Sequence, residues 1–450
     1  MDKNTALELL QKKSFAQLKV AFGEMMPADA AELITHLIED DNDFGERELT
    51  FLFRILPKDL AAEVFTFLDS DLQRVLINAF SDKELRSVLD ELFLDDTVDI
   101  IEEMPANVVS RILKAADPEK RRQINELLNY PEDSAGSIMT TEFVFFRKDS
   151  TVEDALDRIR SIGIVKETVY TCYVTEARKL IGTISLLELL VAEPEEILEN
   201  IMTSNIVFAR VHDDQEEVSK LFRKHDLASL PVVDDEDRLV GIITFDDVMD
   251  VMQDESAEDM AKLGAVLPNE DSYFDTSVLK HVKSRIVWLL VLMISATLTG
   301  MITNHFEAQI SAIPLLVAFM PMLMGTGGNS GSQASTMIIQ GMAMDEIRLK
   351  DFFKVIFKEF RVAFVCALIL SAVNFVRIML FYHDLRIAAV VSLTLIGTVV
   401  MAKLLGCILP MLAKRLKIDP AVMSAPLLST LVDSCSMLLY FTIAMHLLDF

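Results

Sequence analysis

Apolar residues recur at helical spacing through the first 130 positions, as in Leu60, Ala61, Val64, Phe65 and Leu68, and predict a run of amphipathic helices. Short modules begin at Met26-Pro27-Ala28-Asp29, Leu56-Pro57-Lys58-Asp59 and Met104-Pro105-Ala106-Asn107. Proline suits a helix's first turn, where its missing N–H has no helical partner. Repeats of about 24–30 residues read as a small superhelix of helical hairpins.

From residue 138 to 252 the pattern changes to short apolar strands alternating with helices, and it occurs twice. Ile138-Met139-Thr140-Thr141 opens one copy and Ile201-Met202-Thr203-Ser204 the other. Acidic helix starts follow at Thr151-Val152-Glu153-Asp154 and Gln215-Glu216-Glu217-Val218. Leu180-Ile181-Gly182-Thr183-Ile184-Ser185 matches Leu239-Val240-Gly241-Ile242-Ile243-Thr244 near each close. Each copy reads strand, helix, strand, strand, helix, and the pair resembles tandem CBS domains.

Residues 253–283 read as a helical connector whose acidic start includes Asp254, Glu255, Glu258 and Asp259. Beyond it, apolar stretches run at about 286–304, 313–340, 361–381, 387–411 and 421–447, each long enough to span a hydrocarbon core of about 30 Å. Basic residues cluster before the first stretch (Lys280, Lys283, Arg285), between the second and third (Arg348, Lys350, Lys354, Lys358, Arg361) and between the fourth and fifth (Lys414, Arg415, Lys417). Five spans put all three clusters on one side, so the N-terminal half is expected in the cytoplasm and the C-terminus outside.

Charge divides the chain along the same line. Residues 281–450 hold 13 Lys+Arg and 9 Asp+Glu, a balance of +4, whereas residues 1–280 hold 29 and 60, a balance of −31. So acidic a half excludes nucleic acid as a partner, since its binding rests on basic side chains, and suits metal cations. Cys172, Cys366, Cys407 and Cys435 are scattered without zinc-site or disulfide spacing. With no phosphate-binding glycine-lysine loop and no His/Cys cluster, the chain does not read as an enzyme.

Two features of the apolar half carry the chemistry. Met320 to Gln333 places Pro321, Gly325, Gly327, Gly328, Asn329 and Gly331 inside a presumptive span, which predicts a helix broken beside an ion path. Asp433 sits near mid-depth of the last span, beside Thr430 and Ser434. A charge at that depth is costly unless paired or hydrated. A salt bridge to Arg377 or Lys403 is one reading; a carboxylate facing a hydrated cation is the other, and Mg2+ suits it because it keeps several waters.

Gly325-Thr326-Gly327-Gly328-Asn329-Ser330-Gly331-Ser332-Gln333 resembles the signature of the MgtE magnesium transporters. So do Arg415-Leu416-Lys417-Ile418-Asp419-Pro420, Thr430-Leu431-Val432-Asp433, and Tyr130-Pro131-Glu132-Asp133-Ser134-Ala135-Gly136. Ser436 departs from the family, which often has glycine there. The resemblance implies a multidomain fold: an all-α superhelical N-terminal domain (1–130), an α+β tandem CBS pair (131–252), a connecting plug helix (253–283) and a five-span α-helical membrane domain (284–450). It implies a homodimeric magnesium channel in a bacterial cell membrane, closed by cytoplasmic Mg2+. Pore residues carried over are Gly325, Gly328, Asn329, Gln333, Thr430 and Asp433, with Asp433 holding the ion. Metal-binding acids carried over are Asp95, Asp96, Asp214, Glu216, Asp226, Asp247, Asp250, Glu255, Glu258, Asp259 and Asp419. CBS pairs often bind adenine nucleotides through a Ser/Thr-x-x-Asp turn. Thr244 and Asp247 fit that turn, with ATP as a modulator, whereas the first copy has Ser185 with Glu188. The competing expectations are a CBS-regulated exchanger of divalent cations and a magnesium sensor that signals to partners.

Overall fold

The computed structural model describes residues 1, 3–39, 45–163, 166–269, 273, 276–423 and 425–448. They form two units, Met1–Met252 and Gln253–Phe450. The first unit opens with helices α1 (Lys3–Gln11), α2 (Phe15–Gly23), α3 (Pro27–Glu39), α4 (Glu46–Ile55) and α5 (Lys58–Thr66). It continues with α6 (Ser70–Ala79), α7 (Asp82–Leu89), α8 (Leu94–Glu102), α9 (Ala106–Ala115) and α10 (Pro118–Leu127). Pro27 opens α3, while Pro57 and Pro105 stand one residue before α5 and α9. Polar side chains hold other starts: Ser81 and Glu84 cap α7 reciprocally, and Asp117 accepts the Glu119 and Lys120 N–H groups. Helices pack on the second helix along, α3 on α5, α4 on α6 and α7 on α9, which is the stacking of a superhelix.

The duplicated region follows as β1 (Phe145–Arg147), α11 (Val152–Ile162), β2 (Thr171–Glu176), β3 (Lys179–Ser185) and α12 (Leu186–Val191). After α13 (Leu198–Ile201) come β4 (Ala209–Arg210), α14 (Gln215–His225), β5 (Ser229–Val233), β6 (Leu239–Thr244) and α15 (Phe245–Leu263). In each three-stranded sheet the first strand lies parallel to the second and the third antiparallel to it.

The two copies exchange their opening segments. Thr140 bonds Ile242 of β6, and Thr203 bonds Thr183 of β3, both through paired N–H···O contacts of 2.8–3.0 Å. The exchange explains the repeated glycine. A Cβ on Gly182 would lie 2.4 Å from Met202 Sδ, and one on Gly241 would lie 2.5 Å from Met139 Sδ. The methionine of each opening fills the space that the other copy's glycine vacates. One continuous core joins the helical domain to the second copy, running from Leu18, Phe65 and Val98 to Ala209, Phe222 and Leu230.

In the second unit, α16 (Val278–His305) and α17 (Glu307–Ala312) precede a 3₁₀ turn at Pro314–Phe319. Then come α18 (Met320–Ala343), α19 (Phe352–Tyr382), α20 (Leu385–Arg415) and α21 (Ala425–Leu447). Among the described residues, four helical segments are long and apolar enough to cross a membrane: Val278–His305, Leu349–Tyr382, Leu385–Arg415 and Pro426–Leu447. The glycines, serines and amides of α18 leave it outside that set.

Two expectations need correction. The glycine-rich segment is not a break: α18 is α-helical through all its glycines. Close packing against α20 and α21 takes the place of side chains at Gly327, Gly328 and Gly331. Nor does a separate helix fill 253–283. The helix starts at Phe245 and ends at Leu263, where Ala265 turns left-handed (φ 52°) and the Val266 N–H closes on Ala261 O at 2.9 Å. Helix α16 begins at Val278 behind a Ser277 cap.

Candidate functional site

The glycines divide α18 into two edges. Gly327, Gly328 and Gly331 face its neighbours. A Cβ on Gly327 would lie 2.7 Å from Thr398 and 2.8 Å from Val432, and one on Gly328 would lie 2.6 Å from Ser429 Oγ. Across the contact, a Cβ on Gly406 of α20 would lie 2.4 Å from Gly331 O. Gly328, expected to line the pore, is therefore a packing residue of the α18–α21 contact. The other edge carries Gly325, Asn329, Gln333 and Thr336, all exposed and nearly four residues apart. Nothing lies within 4 Å of a Cβ on Gly325.

Asp433, on α21, is half-buried, and its Oδ1 is buried without a hydrogen-bond partner. It pairs with neither basic candidate among the described residues. Arg377 donates to Asn374 Oδ1 at 2.8 and 3.2 Å. Lys403 faces an open groove of about 600 Å³ that Asn329, Ser332, Gln333, Thr336 and Met337 also line. Thr430 donates to Pro426 O at 3.0 Å, which leaves its oxygen as an acceptor, whereas Ser434 donates to Thr430 O at 3.2 Å and its oxygen also meets Thr299 Oγ1 at 2.8 Å. Ser335, Thr398 and Ser436 add further buried hydroxyls without partners. Ser436, where glycine is common in the family it resembles, fits because Gly327 opposite leaves room: its Oγ lies 3.2 Å from a Gly327 Cβ.

A second constellation lies in the first unit, where the start of α8 meets the start of α15. Asp95 is 7 % exposed, and burial together with Asp96 and Glu142 pushes its carboxyl up to about 7. Burial and the Asp95 charge raise Asp247 to about 7 as well. Burial, then Asp247 and Asp246, raise Asp96 to about 6; Asp99 keeps an exposed side, and desolvation on its inner side, then Asp247 and Asp95, shift it upward as well. Glu167 goes highest, to about 9, through burial and the charges of Asp95, Asp246 and Asp247, and its Oε2 has no hydrogen-bond partner. Glu142 accepts the Leu94 N–H at 3.0 Å and so ties this loop to the head of α8.

Sequence reasoning named Asp95, Asp96 and Asp247 but missed Asp99, Glu142, Glu167 and Asp246. Asp99 was within reach as the next turn of the same helix face; the two glutamates come from loops that carry no pattern. Asp95, Asp96, Asp99, Glu167 and Asp247 are raised by burial and by one another's charge, with Lys120 offsetting part of this at Asp96, which is an environment a cation relieves. Among the described residues, no three carboxylate, histidine or cysteine groups converge closely enough to hold an ion directly. The charge therefore fits a divalent ion held through its waters better than a stripped one.

The remaining candidates do not gather. Asp214 caps the start of α14, accepting the Glu216 N–H at 2.9 Å, while Asp226 ends that helix in a left-handed turn. Twelve positions along the helix hold them about 18 Å apart. Glu216 pairs with Lys220 at 2.9 Å. Asp250, Glu255, Glu258 and Asp259 all lie on α15. Glu258 and Asp419 are joined by the chain's own cation, Lys262 Nζ, at 2.7 Å from each. Burial opposes the charge on Lys262, but the hydrogen bonds to Asp419 and Glu258 outweigh it and raise its pKa. The nucleotide turn also serves the fold: Thr244 Oγ1 donates to Asp247 Oδ2 at 2.6 Å and caps α15, as Ser185 and Glu188 cap α12.

The chain is 36% identical over 447 residues to the magnesium transporter MgtE of Thermus thermophilus, covering 98% of this chain and 97% of that one. The chain belongs to the MgtE family. The Bacillus subtilis MgtE is 30% identical, over 88% of this chain and 90% of its own. The family described as a divalent cation transporter matches residues 320–443, the MgtE intracellular N domain matches 42–133, and CBS domains match 135–195 and 198–254. A crystal structure of the cytosolic domain of the Mg2+ channel MgtE in complex with ATP aligns with a TM-score of 0.51 at 35% identity, over 56% of this chain and all of that one. This MgtE family member thus has a helical N domain, a tandem CBS pair and a multi-pass helical membrane region.

Proposed function

We propose that this chain carries Mg2+ across a bacterial cell membrane as a homodimer, through a path lined by the open edge of α18 and by Asp433 of α21. Helix α18 serves as a fifth span, since its 24 residues extend about 36 Å. The basic loops favour residues 1–252 and the connector on the cytoplasmic side, with the C-terminus outside. The observation that carries the reading is Asp433 Oδ1, a carboxylate oxygen without a partner inside an apolar bundle. A charge there costs several kcal/mol unless a cation or water meets it. Asn329, Gln333 and Thr430 supply neutral oxygens suited to a hydrated ion.

Closure is assigned to the acidic interface of α8 and α15. Without divalent ions, Asp95, Asp96, Asp99, Glu167 and Asp247 repel one another, and a cation that binds only the closed arrangement shifts the balance towards it. ATP, which the related cytosolic domain binds, is proposed as a modulator that would take Thr244 and Asp247 from their capping roles. The family's transporter identity favours this reading over an enzyme. Flux into liposomes loaded with a Mg2+ indicator tests it. Uptake should persist with no proton or sodium gradient and fall at least about tenfold in Asp433→Asn. Uptake that requires either gradient would make the chain an exchanger, and an unaffected Asp433→Asn would remove the carboxylate from the path.

A further inference from the structure

Lys403 is a charged residue that the transport reading leaves without a role. It lies on α20 and is 7 % exposed, and about 18 Å of helix separates it from Arg415 at the end. That depth is beyond what its four-carbon stem can cover by snorkelling to the headgroups. Among the described residues its amine makes no ion pair and no hydrogen bond. Its backbone oxygen, beyond the helix ladder, also accepts from Cys407 Sγ at 3.0 Å.

An unpaired ammonium in an apolar bundle needs water or dipoles around it. The open groove of about 600 Å³ that it faces offers amide and hydroxyl dipoles, from Asn329, Ser332, Gln333 and Thr336 beside Met337, and room for water. None of these is acidic. Asn329 and Gln333 are also the amides on the open edge of α18 assigned to the ion path. The amine and the path thus share one groove.

We propose that Lys403 is a fixed positive charge at the ion path that throttles cation throughput. The inference rests on the transport reading, since it needs ions to pass along the open edge of α18. A fixed charge raises the energy of a passing ion in proportion to that ion's valence. Its Boltzmann factor for a divalent ion is therefore the square of that for a monovalent one. Lys403 counterbalances Asp433: the carboxylate attracts the cation and the ammonium limits how firmly it is held.

The test uses the full chain in liposomes at low ionic strength, comparing the parent protein with Lys403→Met, Lys403→Gln and Lys403→Arg. Mg2+ uptake should rise in both neutral variants and stay at the parent level in Lys403→Arg, which keeps the charge. If sodium current in divalent-free solution rises about threefold, Mg2+ flux should rise about ninefold. Both gains should shrink as inert salt screens the charge. A lost packing contact would alter both ions alike and would not respond to salt. Equal gains for the two valences, or unchanged Mg2+ flux in the neutral variants, would overturn the inference; the second result would also follow if a carboxylate of a second copy neutralised Lys403. A parent protein that passes no Mg2+ would overturn the transport reading, and this inference with it.

Discussion

The acidic interface of the first unit and the glycine contact of the second handle closeness in opposite ways. At the first, Asp95, Asp99, Glu167 and Asp247 are held near one another although their charges repel, and their raised pKa values record the strain. At the second, Gly327, Gly328 and Gly406 bring helices together with no charge between them, and a Cβ there would lie only 2.4–2.7 Å from a neighbouring atom. Repulsion that a soluble ion can cancel makes an adjustable contact. Steric closeness in an apolar bundle, where small residues let backbones approach, makes a permanent one. The difference teaches which half can act as a switch and which must act as a frame.

The largest effect expected from that contrast is on regulation. Deleting residues 1–252 should leave Mg2+ uptake intact while abolishing its inhibition by Mg2+ on the cytoplasmic side, measured in inside-out vesicles. Inhibition that survived the deletion would move the switch into the membrane unit.

Next in size is the frame. Gly406→Ala should cost about 1–3 kcal/mol or more, because its Cβ would press on the backbone oxygen of Gly331. Gly325→Ala, with open space around it, should change stability by less than about 0.5 kcal/mol. Thermal unfolding in detergent checks both, and equal effects would break the division of α18 into a packed and an open edge.

The smallest effect is that of pH on the switch. Carboxyls raised to about 6–9 when folded oppose folding fully above about pH 9, and the penalty lifts as the pH falls from there towards their ordinary range near 4. Without divalent ions, hydrogen exchange at α8 should therefore slow as the pH is lowered through that window. Excess Mg2+ should flatten the profile, and a profile that Mg2+ leaves unchanged would detach the cluster from the ion.

Much of this was legible in one chain. Helical periodicity over the first 130 residues, the duplication around Gly182 and Gly241 and the long apolar stretches all depend on order along the sequence, and each appears as an element near its expected place. Asp433 was equally legible, because a carboxylate in an apolar run stands out wherever the run goes. The glycine segment misled because glycine has two uses. It can free a backbone or admit a neighbour, and only the side chains of Thr398, Ser429 and Val432 across the contact show that it admits one. Lys262 was passed over because i,i+4 spacing explains its pairing with Glu258 but not with Asp419, far along the chain.

By itself the sequence determined the order of domains, the charge of each half and the residue types at the proposed ion path, because composition and periodicity are local. Tertiary structure alone decided that Met139 and Met202 fill each other's copies, that Glu167 joins Asp95 and Asp247, and that Lys403 faces the groove of Asn329 and Gln333. Those pairings join residues tens of positions apart, and no local pattern encodes a distance that only folding makes short.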